Sequence, residues 1–273
     1  MSCRTPETIA WRWTDVIDPG WPDRHWTGEF LTTDDTTWYA RIDGEGRPDL
    51  PPVVMIHGLV VSGAYFRPVA RRLDQELRLF IPDLPGFGRS TTRVKNWSLA
   101  DYADAIASWM HLHGLNGAVL VGNSLGCQMI TLLAVRHPEL VRSLVLVAPT
   151  MDPQSDSLAE IAARALMDVP RERPSIWQIW IPDFFRAGPR RALQALIAGM
   201  DDHQENRLEC ITQHSLVVGG EDDPIISVNW VRTMAARIPN GEAVILPGAA
   251  HAMNYSDPRA LAAVIHRAVY ATP

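Results

Sequence analysis

A serine flanked by glycines is the strongest candidate for a catalytic nucleophile in this chain. Residues 122–126 read Gly-Asn-Ser-Leu-Gly, follow the apolar run 118–121 and precede a stretch of helical composition. A tight turn from strand to helix needs small flanking residues, because glycine tolerates crowding and unusual backbone angles. Such a turn would hold the Ser124 hydroxyl at a helix N-terminus, where unpaired backbone N–H groups can bind an oxyanion. The alternative is a Gly-rich turn that happens to carry a serine.

His251 is the candidate base for this nucleophile. A serine hydroxyl is weakly nucleophilic at neutral pH and needs a base that is itself oriented by an acid. In hydrolases with a doubly wound sheet the chain order is serine, acid, histidine, each beyond the carboxyl end of a strand. His251 follows the other candidates and ends the loop Pro-Gly-Ala-Ala-His behind the predicted strand 243–246. His57, by contrast, is predicted to hold its own loop in place.

Asp223 is the favoured acid. It lies in the segment 220–224, Gly-Glu-Asp-Asp-Pro, directly after the predicted strand 216–219. We favour it over Asp222 because the fourth residue of a Gly-x-x-Asp turn points back toward the end of the strand. Asp152 is a further alternative, since it follows another predicted strand end from which a carboxylate could also reach His251.

Two backbone amides are predicted to stabilise the oxyanion. Leu125 comes directly after the serine and supplies one N–H group. Leu59, in the loop 56–60 behind the first predicted parallel strand, supplies the other. Each donor in comparable sites contributes about 3 kcal/mol to the stability of the transition state.

Composition narrows the class of protein. With 273 residues, 47% of them hydrophobic, the chain can bury a large core as one domain, or one domain with an insertion. The formal net charge is −6 and there is no basic run, which argues against nucleic acid or an anionic membrane as the main partner. The single lysine, Lys95, lies in a polar stretch, so Schiff-base chemistry has one poorly placed candidate.

Cysteine usage and hydropathy indicate the compartment. Cys3, Cys127 and Cys210 are far apart and lack the spacing of metal or redox sites. Such a sparse, odd set is typical of reduced thiols in a cytoplasm. The N-terminus lacks the apolar run of a signal peptide, and no stretch is long and apolar enough for a membrane span. We therefore expect a soluble cytoplasmic protein.

Alternating strand and helix patterns predict a parallel sheet with helices on both faces. A hairpin is predicted at 26–32 and 36–42, an irregular arm before it, and the alternation begins at Val53. Residues 150–212 break the rhythm, with helical segments alone. We therefore predict a core at 1–149 and 213–273 and a helical lid at 150–212.

The predicted lid carries aromatic and charged side chains. Trp177, Trp180 and Phe184 fall near helical spacing and are predicted to line a substrate pocket, the alternative being plain packing. The charged stretches 171–173 and 201–202 are interpreted as a solvated face.

Together these motifs resemble the α/β-hydrolase superfamily, in its serine-hydrolase branch with a helical cap. The resemblance covers most of residues 50–270. It implies an eight-stranded, mostly parallel sheet with the cap after the sixth strand. It also implies that Ser124 is the nucleophile, His251 the base and Asp223 the acid, with Leu59 and Leu125 as oxyanion amides. The stretches that carry it are 53–58, 83–90, 122–126, 220–224 and 248–251.

Departures from the family's commonest patterns bear on the substrate. Asn123 before the serine is also found in the carbon–carbon bond hydrolases of aromatic-ring degradation. Ala252, however, stands where those enzymes usually carry tryptophan, and a Gly-Gly-Pro-Gly stretch after His57 is absent. Cys127 replaces a glycine that is common after the serine turn. A serine nucleophile also disfavours epoxide hydrolases and haloalkane dehalogenases, which carry aspartate there.

Three functions follow from these observations. The leading prediction is a serine esterase without cofactor or metal, acting on a small-molecule ester through an acyl-enzyme. The alternatives are a carbon–carbon bond hydrolase with the same triad and a ligand receptor without turnover. Five of the ten tryptophans lie within the first 38 residues, where they could cover the sheet edge, form a homodimer contact or reach the pocket.

Overall fold

The structure, a computed structural model, describes residues 8–12, 26–33, 35–73, 76–152 and 157–271. Of residues 8–12 and Leu158 the backbone alone is described. Among the described helices, none combines the length and hydropathy that a membrane span requires.

A ten-stranded sheet organises the described residues. Its strands are β1 (Thr8–Arg12), β2 (Trp26–Thr32), β3 (Thr36–Asp43), β4 (Val53–Ile56), β5 (Leu79–Asp83), β6 (Thr91–Thr92), β7 (Ala118–Asn123), β8 (Val141–Val147), β9 (His214–Gly220) and β10 (Gly241–Leu246). The order across the sheet is β1-β2-β3-β5-β4-β7-β8-β9-β10, with β6 paired to β3. The neighbours in the series β5-β4-β7-β8-β9-β10 pair in parallel. The pairs β1–β2, β2–β3, β3–β5 and β3–β6 are antiparallel.

This topology brings the candidate residues to one edge of the sheet. The carboxyl ends of parallel strands share an edge, and ligands bind there in open α/β sheets. The loop with Leu59 follows β4, Ser124 follows β7, Asp223 follows β9 and His251 follows β10. Four loops that are distant in the chain therefore meet above the sheet.

The helices are α1 (Arg67–Leu73), α2 (Leu99–Leu112), α3 (Leu125–Arg136), α4 (Leu158–Asp168), α5 (Trp177–Ala187), α6 (Pro189–Met200), α7 (Val228–Arg237), α8 (Met253–Ser256) and α9 (Pro258–Tyr270). Helix α2 packs against α3 and α1 against α9, while α3 and α9 both contact β7 and β8. Helices thus cover both faces of the sheet, as predicted. Helix α2 begins at a capping box, in which Ser98 and Asp101 exchange hydrogen bonds.

Helices α4 to α6 lie between β8 and β9 and are called the inserted helices below. They occupy the predicted helical stretch, and its described residues contain no strand. The segment 204–210 is a 3-10 helix rather than an α-helix. The boundaries of a separate lid stay a prediction.

The N-terminal region differs in part from the prediction. Residues 8–12 form β1, an edge strand antiparallel to β2, instead of irregular structure. The backbone of β2 offers one unpaired side, which β1 covers. With β1 and the short β6, the sheet has two strands more than the eight that the resemblance implies. The rest of the predicted arm, including Cys3, Trp13 and Trp21, lies outside the described residues.

Tryptophans near the N-terminus contribute to the core. Trp26 on β2 and Trp38 on β3 are both buried, and Trp38 stacks on Trp109 of α2 with ring centroids 6.1 Å apart. These two side chains therefore pack in the core.

Candidate active site

Ser124 is held in a strained turn between β7 and α3. Its backbone has φ 54° and ψ −122°, in the region that favours glycine. The Ser124 N–H donates to the Val147 carbonyl at 2.9 Å, and the Cys127 N–H donates to the Ser124 carbonyl at 3.0 Å. These two hydrogen bonds hold Ser124 in a backbone conformation that is unfavourable for a serine. Strain of this kind concentrates at functional sites.

Glycines around Ser124 are required by close approach of the backbone. A Cβ atom at Gly126 would lie 2.4 Å from the Ile56 carbonyl oxygen, and one at Gly122 would lie 2.8 Å from the backbone of Gly126. Gly58 faces Ser124 itself, with 3.0 Å between its hypothetical Cβ and the serine Cβ. The small residues therefore let α3 approach the end of β4.

Gly126→Ala should destabilise the fold. Its new methyl group would meet backbone atoms of β4, which cannot rotate away, so we expect the free energy of unfolding to fall by about 1–3 kcal/mol. Chemical denaturation followed by circular dichroism measures this change. Gly44→Ala is the matched control, because a Cβ there has no atom within 4 Å. Equal stability of the two variants would contradict the packing argument.

His251 and Asp223 form a hydrogen-bonded pair. The His251 Nδ1 and Asp223 Oδ2 atoms are 2.9 Å apart, and the Asp223 side chain is fully buried. The other carboxylate oxygen, Oδ1, accepts the N–H groups of Ile225 at 2.8 Å and Ile226 at 3.0 Å. Asp223 is thereby anchored on one side and aimed at the imidazole on the other.

The electrostatic environment favours a charged His251. Burial lowers the pKa of His251, but the Asp223 carboxylate, with Asp168 and Glu172 beyond it, raises that pKa above its ordinary value. A base that becomes cationic during the reaction gains from such neighbours.

The two alternative acids lie elsewhere. Asp222 is exposed beside Asp223, and its N–H donates to the Ala249 carbonyl at 3.0 Å. Asp152 Oδ2 accepts a hydrogen bond from Ser227 at 3.3 Å. The observed contact to His251 is made by Asp223.

The two predicted oxyanion residues border the same cavity as Ser124. Leu125 is the first residue of α3, so its N–H has no acceptor within the helix. Leu59 is followed by Val60, which has φ 53° although it is β-branched. Each predicted donor is thus next to a strained residue, Leu59 to Val60 and Leu125 to Ser124. The oxyanion role of the two amides stays a prediction.

His57 holds its loop together, as predicted. Its Nδ1–H donates to the Gly58 carbonyl at 2.8 Å, and its Nε2 accepts the Leu84 N–H at 2.9 Å. Burial lowers the pKa of His57, so the ring stays neutral and both nitrogens are occupied. Its task is to connect the ends of β4 and β5.

An apolar cavity of about 710 Å³ lies between the sheet edge and the inserted helices. Ser124 and His251 line it together with the predicted pocket residues Trp177, Trp180 and Phe184. Other lining side chains were not predicted, chiefly Ile161, Leu166, Phe185, Leu196 and Asp168. The aliphatic ones have no chemical signature that separates a pocket from a core.

The charged stretches 171–173 and 201–202 are predicted to form a solvated face, and one residue of each departs from this prediction. Glu172 is 5% exposed, and its carboxylate faces the segment after His251. Asp202 forms an ion pair with Arg207 that is largely covered. The prediction was wrong for these two residues because each also bonds a distant part of the chain: Glu172 accepts the Ala252 N–H, and Asp202 accepts the Gln128 side-chain amide at 3.2 Å. Arg171, Arg173 and Asp201 are exposed as expected.

The cluster of metal-type ligands found among the described residues lies away from the cavity. Within the described part of the chain, the one group of three such side chains in mutual reach is His111, His137 and Glu139. It lies at the surface, and none of its members lines the cavity.

Comparison with known proteins identifies the family. A model of the Alpha/beta hydrolase family matches residues 53–264. The chain is 27% identical over 242 residues to "Putative carbamate hydrolase RutD" of Serratia proteamaculans, covering 80% of this chain and 91% of that one. It is 26% identical over 251 residues to the pimeloyl-(acyl-carrier protein) methyl ester esterase of Vibrio vulnificus, covering 82% and 94%.

The solved structures agree in fold. That of E-2-(acetamidomethylene)succinate hydrolase has a TM-score of 0.77 at 23% identity, covering 90% of this chain and 100% of that one. The three relatives differ in the bonds that their names imply, so the likeness defines a fold and a hydrolase class but no single substrate. With the family model matching more than half of its length, the chain belongs to the alpha/beta hydrolase family.

Proposed function

We propose that this hydrolase is a serine esterase in which Ser124, His251 and Asp223 form the catalytic triad. The observation that carries the proposal is the 2.9 Å bond between His251 and the buried Asp223, in a loop that borders the same cavity as the strained Ser124. The relative named as a methyl ester esterase supports ester chemistry.

The reaction would proceed in two halves. His251 Nε2 takes the proton of Ser124 while Oγ attacks the ester carbonyl, and the Leu59 and Leu125 N–H groups stabilise the oxyanion. His251 then donates this proton to the departing alkoxide, which leaves as an alcohol. Water, deprotonated by His251, attacks the acyl carbonyl, and His251 returns the proton to the departing Ser124 Oγ as the carboxylic acid is released.

The inserted helices would act as the lid of the site. Helices α4 and α5 contribute apolar side chains to the cavity wall opposite the sheet edge. Several of these are also partly exposed, such as Phe184 at 42% and Leu166 at 73%. An apolar wall that reaches the surface suits entry of a lipophilic substrate.

The cavity favours an uncharged acyl group. Among the described residues no arginine or lysine lines it, and Asp168 contributes a carboxylate. A substrate carboxylate next to the reacting bond would therefore be buried without a partner, which is costly.

The test is a set of p-nitrophenyl esters with neutral and charged acyl groups. We expect kcat/KM for the butyrate and hexanoate to exceed that for the mono-succinate ester by at least about tenfold, because the succinate carboxylate loses its hydration. A carbamate and a vinylogous diketone assayed beside them test the other bond classes. Turnover of the diketone in preference to every ester would favour the carbon–carbon alternative.

The receptor alternative is tested by covalent labelling. A fluorophosphonate should label wild-type protein at Ser124, as mass spectrometry of the peptide would establish. Absence of both labelling and turnover would leave a binding protein instead of an enzyme.

A further inference from the structure

Two carboxylates from the inserted region hold the segment that follows β10. Asp168, the last residue of α4, accepts the His251 backbone N–H at 3.3 Å. Glu172, four residues later, accepts the next N–H group, that of Ala252, at 2.7 Å. Asp168 is 2% exposed and Glu172 is 5% exposed. The backbone N–H groups of His251 and Ala252 are thus bound by side chains of the lid instead of by the core. The segment 247–252 is called the histidine loop below.

Ser256 completes the attachment. Its Oγ lies 2.9 Å from Glu172 Oε2 and 2.8 Å from the Ala252 carbonyl oxygen. One hydroxyl carries a single proton, so it can donate to only one of these acceptors. A protonated Glu172 resolves the conflict, because it donates to Ser256 while Ser256 donates to Ala252. The arrangement therefore suits a neutral glutamic acid.

Apolar and aromatic contacts join the same two segments. Tyr255, on the segment after His251, stacks on Tyr65 with ring centroids 6.3 Å apart and hydrogen-bonds Ser175 at 2.9 Å. Ile176 of the inserted region is fully buried in this cluster together with Ala252. The polar contacts are therefore shielded from water. A hydrogen bond is electrostatically stronger in such an environment than in water.

The charged groups that act directly on the pKa of Glu172 are the Asp168 carboxylate and the His251 imidazole. Burial raises the pKa of Glu172 to about 7, helped by Asp168, while the Ala252 N–H, Ser256 and His251 act in the opposite direction. Tyr65 faces the pair from the core, and Arg171 lies beside Asp168. Ionisation of Glu172 above pH 7 would add negative charge next to His251.

We infer that Glu172, together with Asp168, is a positioning residue that fixes the catalytic histidine loop from the lid. The inference rests on the proposed function, since it gives these carboxylates a task only if His251 is the base. Asp168 binds the backbone N–H of His251, and Glu172 binds that of Ala252 and contacts Ser256. Both carboxylates would act on the reaction by fixing the position of His251. The lid thereby becomes part of the catalytic geometry as well as a wall of the pocket.

The test compares Glu172→Ala with Glu172→Gln. We expect E172A to lower kcat by roughly 10- to 100-fold with little change in KM for a short neutral ester, because the histidine is displaced while the pocket is intact. The amide of E172Q can accept the Ala252 N–H and donate to Ser256, so kcat should stay within about threefold of wild type. The amide mimics the neutral acid, so the acid limb of its kcat/KM profile, where Glu172 is protonated, should coincide with that of wild type.

Glu160→Gln and Glu160→Ala are the matched controls. Glu160 is a half-exposed carboxylate of α4 that pairs with Arg164, away from His251. Both variants should keep the wild-type rate and pH profile. A wild-type rate for E172A, or a loss in E172Q as large as that in E172A, would overturn the inference. Where E172A fails to fold by circular dichroism, Glu172→Leu, which fills the buried space without a hydrogen-bonding atom, takes its place and should show the same loss of kcat.

The rate of fluorophosphonate labelling separates this inference from the proposed function. Labelling requires an activated Ser124 but no ester turnover. If wild-type protein is labelled without hydrolysing esters, the esterase proposal fails, and the labelling rates of E172A and E172Q at varied pH still test the positioning role. Equal labelling rates for wild type and E172A across pH overturn it.

Discussion

Replacing Ser124 by alanine is expected to lower kcat for neutral p-nitrophenyl esters by roughly 10^6-fold, to near the rate left by binding and oxyanion contacts alone. The substitution removes one oxygen atom and keeps the Ser124 backbone contacts to Val147 and Cys127. Stability should therefore stay near that of wild type, so the loss reports chemistry instead of unfolding. Steady-state assays with purified protein, combined with thermal denaturation, measure both quantities.

Ser108→Ala is the matched control for this loss. Ser108 is an exposed helix serine whose Oγ donates to the Asp104 carbonyl at 2.9 Å, remote from the cavity. S108A should retain wild-type activity and fluorophosphonate labelling, whereas S124A should lose both. Esterase activity of S124A above about 1% of wild type would rule out Ser124 as the nucleophile.

The residues at the ends of the strands were predictable because local sequence encodes them. Ser124, Asp223 and His251 each follow a short apolar strand in a loop of small residues, and their order in the chain matches one fold. A parallel sheet then brings those loops together without further information. The parallel sheet with helices on its faces follows from the alternation of strand and helix patterns, and the predicted pocket aromatics follow from helical spacing.

The lid's contribution to the site could not be predicted in this way. Glu172 stands between two arginines, a pattern typical of an exposed helix end, and Asp168 ends an amphipathic helix. Their burial depends on how the inserted helices fold back onto the segment after β10, which is a long-range contact without a local signature. Similarly, β1 was not predicted, because a segment becomes an edge strand only where a neighbouring strand, here β2, offers an unpaired side.

Asp223→Asn is expected to lower kcat by about 10^4-fold through the wrong histidine tautomer. The Ile225 and Ile226 N–H groups bind Asp223 Oδ1 at 2.8 and 3.0 Å, so an asparagine must keep its carbonyl oxygen there. Its NH2 group would then face His251 Nδ1 and donate to it. The remaining ring proton would move to Nε2, which could no longer accept the proton of Ser124.

The pH profile provides a second measurement of the same substitution. The Asp223 carboxylate raises the pKa of His251, and catalysis requires the neutral imidazole, so wild-type kcat/KM should fall as pH drops through that raised value. In D223N the residual activity should extend to lower pH, since the charge that stabilised the imidazolium is gone. Asp222→Asn, one position earlier and exposed, is the control that should keep the wild-type profile. A large loss in D222N, or in Asp152→Asn, with full activity in D223N would reassign the acid, because the tautomer argument applies only to the carboxylate that contacts Nδ1.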